Sequence, residues 1–103
     1  MGTESARYGE ELFHLLVETV ADYAIFAMDP AGRIVHWNAG AERVTGYTQA
    51  DALGTTLASI FTPDDVAAGV PEQELRTAAA TGRAEEERWH VRKDGVRFWA
   101  QGV

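Results

Sequence analysis

Arg88-Trp89-His90-Val91-Arg92-Lys93-Asp94-Gly95-Val96-Arg97-Phe98-Trp99-Ala100-Gln101 carries two apolar and aromatic runs around a turn dipeptide. Asp94-Gly95 signals a two-residue hairpin, because a type I′ turn needs positive φ at both central positions. That turn pairs Lys93 with Val96, Arg92 with Arg97, Val91 with Phe98, His90 with Trp99, Trp89 with Ala100 and Arg88 with Gln101. Trp89, Val91, Phe98 and Ala100 then share one face, and Arg88, His90, Arg92, Arg97, Trp99 and Gln101 share the other. Arg92 opposite Arg97 is a like-charge pair that wants an acid nearby, from Glu42 or from Glu85 to Glu87.

Upstream of this hairpin the signals are helical. Pro71 opens a helix over Glu72 to Thr81, with acids in its first turn, Leu75, Ala78 and Ala79 on its apolar face and Gly82 as its stop. Thr62-Pro63-Asp64-Asp65 and Thr48-Gln49-Ala50-Asp51 both match the capping box with Asp in place of Glu, and Pro63 falls where a missing N–H costs nothing. Asn38 stands as the N-cap of a short helix, Ala39 to Thr45, that Gly46 closes in the left-handed conformation. Before it, Tyr23 to Met28 and Arg33 to Trp37 read as strands joined by Asp29-Pro30-Ala31-Gly32, a second hairpin. Tyr8 to Ala21 has helical periodicity, with Leu12, Phe13, Leu16, Val17 and Val20 on one side and Glu11, His14 and Glu18 on the other. Leu15 escapes that stripe, and a partner surface is one explanation. Strands at both ends of a helical middle give an α+β fold with an antiparallel sheet, since no crossover helix follows each strand.

The chain has 103 residues, room for one domain, and 46% apolar against 24% charged residues excludes a disordered tail or a collagen-like chain. Nine bases against sixteen acids leave a charge of −7, which repels phosphate backbones and makes nucleic acid a poor partner. Without cysteine there is no disulfide, thiolate metal site or thiol nucleophile. No apolar run reaches the ~20 residues of a membrane span, and Met1 to Ala6 has no basic segment leading into an apolar one, so the expected address is the cytoplasm.

A search for chemistry finds no catalytic pattern. His14, His36 and His90 lack metal-ligand spacing, and Ser5 and Ser59 lack a nucleophile-elbow context. Gly32, Gly40, Gly46 and Gly54 form no phosphate-binding loop. Glu85, Glu86 and Glu87 alternate sides along a strand instead of facing one another. Phe26, Trp37, Phe61, Trp89 and Phe98 read either as a plain core or as the wall of a ligand cavity.

Val35-His36-Trp37-Asn38-Ala39-Gly40-Ala41-Glu42-Arg43-Val44-Thr45-Gly46-Tyr47 closely resembles the PAS sensory domain of bacterial sensor histidine kinases and chemotaxis-type signalling proteins. The likeness continues through Leu53-Gly54, Phe61-Thr62-Pro63-Asp64-Asp65 and Arg88 to Trp99, and spans about Leu12 to Val103. The resemblance implies a five-stranded antiparallel sheet with short helices on one face around a small cavity, residues 22–103 forming the core and residues 1–21 a flanking dimerisation helix. It implies a non-catalytic sensory input domain that binds a small molecule or partner and relays its state through flanking helices, or else a ligand-free homodimerisation module.

Carried over residue by residue, the resemblance turns Trp37 and Val35 into the cavity and His36 outward, with Phe26, Thr45, Leu57, Val66, Leu75, Trp89, Val91 and Phe98 completing the wall. Leu12, Phe13, Leu15 and Leu16 become candidates for a homodimer interface, and Glu42 pairs with Arg92 or Lys93. Asn38, Asp94 and Gly95 have structural roles, and a histidine kinase is the expected downstream partner. A flavin-thiol member needs a Cys between Gly54 and Phe61, and a haem-binding member needs a His between Val66 and Thr81. This chain has neither, which disfavours both cofactors and leaves non-covalent flavin open. The family's fifth strand is missing from the resemblance, so the sequence expects either direct pairing of Tyr23 to Met28 with Val96 to Val103, or, preferentially, a strand exchanged from a second chain.

Overall fold

The computed structural model describes residues 9–16 and 22–103. A helix, α1, covers residues 9–16. Strands β1 (Phe26–Met28) and β2 (Ile34–Trp37) follow, then helices α2 (Ala39–Thr45) and α3 (Gln49–Ala52), a 3₁₀ turn at Leu57–Ile60, helices α4 (Pro63–Ala67) and α5 (Val70–Thr81), and strands β3 (Glu86–Val91) and β4 (Arg97–Gly102). The expected stripe residues Val17 and Val20 lie outside the described residues.

Each helix begins and ends for a local reason. The Asn38 side chain accepts from Ala41 N and caps α2, whose C-terminus Gly46 closes at φ 81°. Thr48 and Asp51 form the reciprocal capping box of α3, whereas Thr62 caps α4 by its own side chain, accepting from Asp65 N. The last helix starts earlier than Pro71: Gly69 is its N-cap, Val70 its first residue, and Gly82 ends it.

Both hairpins turn on the same three-residue loop: in the first it contains the expected turn from Asp29 to Gly32, and in the second it replaces the expected two-residue turn. Gly32 N donates to Asp29 O and Asp29 N to Arg33 O, while Gly95 N donates to Arg92 O and Arg92 N to Val96 O. Among the described residues only glycines have positive φ, so Asp94 cannot serve in a type I′ turn. Gly95 instead takes the last position of a type I turn, where its φ of 87° makes the bulge that follows such turns.

That one-residue change shifts the register. Val91 pairs with Arg97, His90 with Phe98, Trp89 with Trp99, Arg88 with Ala100, Glu87 with Gln101 and Glu86 with Gly102. One face of this hairpin therefore carries Glu86, Arg88, His90, Phe98 and Ala100, and the other Glu87, Trp89, Val91, Arg97, Trp99 and Gln101. The first is the inner face, since His90 is buried while Trp89 is 49% and Trp99 53% exposed. Trp89 and Val91 are thus outside, contrary to expectation, and Arg92 no longer faces Arg97.

The first hairpin bends too. Phe26 pairs with Trp37 and Ala27 with His36, but Met28 pairs with Ile34, so Val35 is the extra residue of a β-bulge. The bulge breaks the alternation and lets Ile34 and Trp37 both point inward, leaving Val35 exposed. Ile34, Trp37, Ala41 and Ala52 form the core, with Ala24, Phe26, Met28, Tyr47 and Leu57 packed on it.

The two hairpins form separate two-stranded sheets, so β1 and β4 do not close on each other as one sequence expectation allowed. Each hairpin is anchored to the helical middle instead. β2 exchanges backbone bonds with Gly54 and Thr55, and Lys93 N donates to Thr45 O at the end of α2. Phe61 makes a single antiparallel bridge to His90.

Candidate functional site

Beside β2 the core leaves a recess of about 220 Å³. The bulge in β2 brings Ile34 and Trp37 to its floor, α3 supplies Asp51 and Ala52, and the segment through the 3₁₀ turn supplies Thr55, Thr56, Leu57, Ser59 and Ile60. Tyr47 completes the wall, and its carbonyl accepts the Trp37 indole N–H at 2.9 Å, which fixes the ring. Phe26 backs Trp37 from the other side, with ring centroids 5.5 Å apart.

The polar edge lies at the mouth. Lys93 Nζ sits 2.9 Å from Asp51 Oδ2, and this bond, with those from Thr48, holds the Asp51 carboxyl below its ordinary value. The Thr55 hydroxyl donates to Ala52 O, and the Thr56 hydroxyl accepts from Ala58 N. An apolar floor with hydroxyls and one ion pair at the rim suits a small molecule with a hydrogen-bonding end. Nothing in that lining pairs a nucleophile with a base, and among the described residues no three His, Cys, Asp or Glu side chains are placed to hold a metal ion.

Of the ten expected wall residues, Trp37 and Leu57 line this recess. Thr45 is buried one step away, its hydroxyl donating to Ala41 O and accepting from Tyr47 N. Phe98 lies on the inner face of the other hairpin, 5.9 Å from the His90 ring. Leu75 sits over the first turn, close enough to Gly32 that a Cβ there would meet it at 2.7 Å. Val35 and Val66 are exposed, and Trp89 and Val91 are on the outer face. Ala52 and Ile60 escaped notice because α3 and the 3₁₀ turn are too short to show a period. A charged group on the inner face, Glu86, Arg88 and His90, was also missed. Their spacing of two along a strand already put them on one side, but the slipped register assigned that side to solvent.

Glu42 does not pair with the basic turn: its carboxylate accepts from Gln49 N at 2.7 Å. Arg92 reaches instead for the open carbonyls at the end of α2, donating to Arg43 O and Val44 O at 2.9 and 2.7 Å. A cation is favoured at a helix C-terminus, and those carbonyls have no helical partner. Asp94 accepts from Val96 N within the turn. On α1, Leu12, Phe13, Leu15 and Leu16 are between 49% and 59% exposed, and Phe13 and His14 lie against the ring of His36 on β2.

A family model described as PAS fold matches residues 11–102. A two-component system protein A from Emericella nidulans is 43% identical over 93 residues, covering 90% of this chain and 14% of its own length. The PAS domain of a Colwellia psychrerythraea protein is 27% identical, with a TM-score of 0.67, over 76% of this chain and 65% of that one. A domain of a sensory box sensor histidine kinase/response regulator from Geobacter sulfurreducens shares the fold at a TM-score of 0.80 and 22% identity, over 96% of this chain and 84% of that one. No helix among the described residues is long and apolar enough to cross a membrane.

Proposed function

The chain belongs to the PAS family, and from that membership we propose that it is the non-catalytic sensory input module of a cytoplasmic signalling protein in which a histidine kinase is the output. The similarity to a two-component system protein supports the pathway, although the chain spans only 14% of that relative. The observation that carries ligand sensing is the recess beside Trp37. At about 220 Å³ it is smaller than the ~300 Å³ where drug-sized pockets begin, so the ligand is a small molecule rather than a flavin or haem. With no Cys in the chain and no His between Val66 and Thr81, neither a flavin-thiol adduct nor an axial haem ligand fits the expected positions.

Occupancy is relayed through two physical links. Trp37 holds Tyr47, and the Thr45 carbonyl just before it receives Lys93 N, which connects the recess to the second hairpin. Asn38, next to Trp37, binds Ile25 N and Tyr23 O, which connects it to the segment following α1. A ligand shifts this equilibrium only if it binds the two states with different affinity.

A thermal-shift screen of small fragments, followed on Trp37 fluorescence, tests the reading. Fragments that raise the melting temperature of the wild type and lose that effect in Ala52→Leu, which narrows the recess, support it. Absence of any such fragment, together with no small molecule released on denaturation by mass spectrometry, overturns it. A second reading, a ligand-free homodimerisation module, is favoured by the exposed Leu12, Phe13, Leu15 and Leu16. It expects Leu15→Glu and Leu16→Glu to shift sedimentation toward monomer, and unchanged sedimentation in both refutes it.

A further inference from the structure

Five ionisable side chains meet where α4 and α5 cover the inner face of β3. Arg88 is at their centre, with Asp65 of α4 at 3.5 Å, Glu74 of α5 at 3.0 Å and Glu86 at 3.2 Å. Glu86 Oε1 is in turn 2.5 Å from Nε2 of His90, a residue only 3% exposed. Around them β4 contributes Phe98, and Phe61 lies edge-on to the His90 ring at 4.7 Å. One guanidinium thus faces three carboxylates, and no other Lys or Arg side chain pairs with them among the described residues.

Two atoms show where the group is short of a proton. Glu74 Oε1 is in ion-pair range of Arg88 but out of line for a hydrogen bond, so it is buried without a donor. His90 Nδ1 is also buried without a partner. A proton on Glu74 can be given to the facing Glu86 carboxylate as a hydrogen bond.

We propose that Glu74, Glu86 and His90 form a proton-binding site that couples the docking of α5 on the second hairpin to pH. Burial first, and then the facing Glu86 carboxylate, push the Glu74 carboxyl up to about 7, against the pull of Arg88 and His90. Burial also pushes Glu86 upward, but hydrogen bonds from His90 and Glu74 and the charges of His90 and Arg88 hold it below its ordinary value. Between the ordinary carboxyl value of 4.5 and about 7 the folded state keeps a proton that the unfolded chain has lost. Stability from this site is therefore complete below 4.5 and is lost as pH rises through about 7. Above that, the two carboxylates repel and α5 parts from β3, keeping its packing on α4 and Leu75 over Gly32.

Carboxyl ¹³C titration of the whole chain, with amide exchange followed from about pH 5 to about pH 8, tests this. The Glu74 carboxyl is expected to titrate near 7, and protection of residues 70–81 to fall at least about tenfold relative to β4 across that range. Glu74→Gln keeps a hydrogen-bond donor without titrating, so its protection should be independent of pH. A Glu74 midpoint in the ordinary carboxyl range, or the same pH dependence in Glu74→Gln, overturns the proposal. If that variant does not fold, the wild-type titration decides alone.

Discussion

Asn38, fully buried, ties together two segments that are distant in sequence. Its oxygen accepts from Ile25 N and Ala41 N, both at 2.8 Å, and its amide donates to Tyr23 O at 3.0 Å. A cap residue is worth ~1 kcal/mol, but each buried group left without its partner costs ~1 to 3 kcal/mol more. Asn38→Ala should therefore lower stability by about 3 kcal/mol in urea unfolding, with an unchanged dependence on denaturant. A loss below about 1 kcal/mol would show that water replaces those bonds. Gly95 is the other residue whose identity is dictated locally: at φ 87° a β-carbon is strained, and Gly95→Ala should cost about 1 kcal/mol although a Cβ there meets nothing.

At the scale of elements, hairpin register decided more than strand identity did. The pair Trp89 and Trp99 is the observable, with rings T-shaped and centroids 5.4 Å apart on the outer face. Under the register expected from an Asp94-Gly95 two-residue turn, Trp89 would face Ala100 and no such pair would exist. Far-ultraviolet circular dichroism should show an exciton couplet from the two indoles that disappears in Trp99→Phe. A spectrum unaffected by that substitution would argue for the other register. The bulge at Val35 acts similarly on the first hairpin, since it places Ile34 and Trp37 on one side of a strand whose alternation would have separated them.

Across the whole molecule, the separate hairpins are joined by the helical middle, and Arg92 is one of the joints. Its guanidinium donates to two carbonyls at the end of α2 while its backbone closes the second turn. Arg92→Ala should cost about 1 to 2 kcal/mol and loosen the hairpin from α2 more than either element alone. Amide exchange at Lys93 N, whose bond to Thr45 O spans the joint, reports it directly. Equal protection of Lys93 in variant and wild type would mean that the backbone bond suffices. Among the described residues β1 and β4 each have one strand neighbour, so a peptide strand that pairs with both should raise the melting temperature, and the strand exchange expected from sequence is a case of this.

Elements that depend on local chemistry were legible in the sequence. Asn38, Thr48, Pro63, Gly46 and Gly82 start and stop helices by satisfying, or by lacking, backbone groups within a few residues of themselves, so their neighbours suffice to predict them. The motif around Trp37 and Asn38 likewise led to the family. What a residue faces was decided by tertiary structure. Glycine at the end of a type I turn and glycine inside a type I′ turn share a dipeptide, and a displacement of one residue exchanges the faces of a strand. Packing against α4, α5 and Phe61 selected the register that buries His90, half-buries Glu86 and Arg88 and exposes Trp89. Hydrophobicity alone would have chosen the reverse, because three carboxylates and a guanidinium become acceptable inside only once the fold has brought them together.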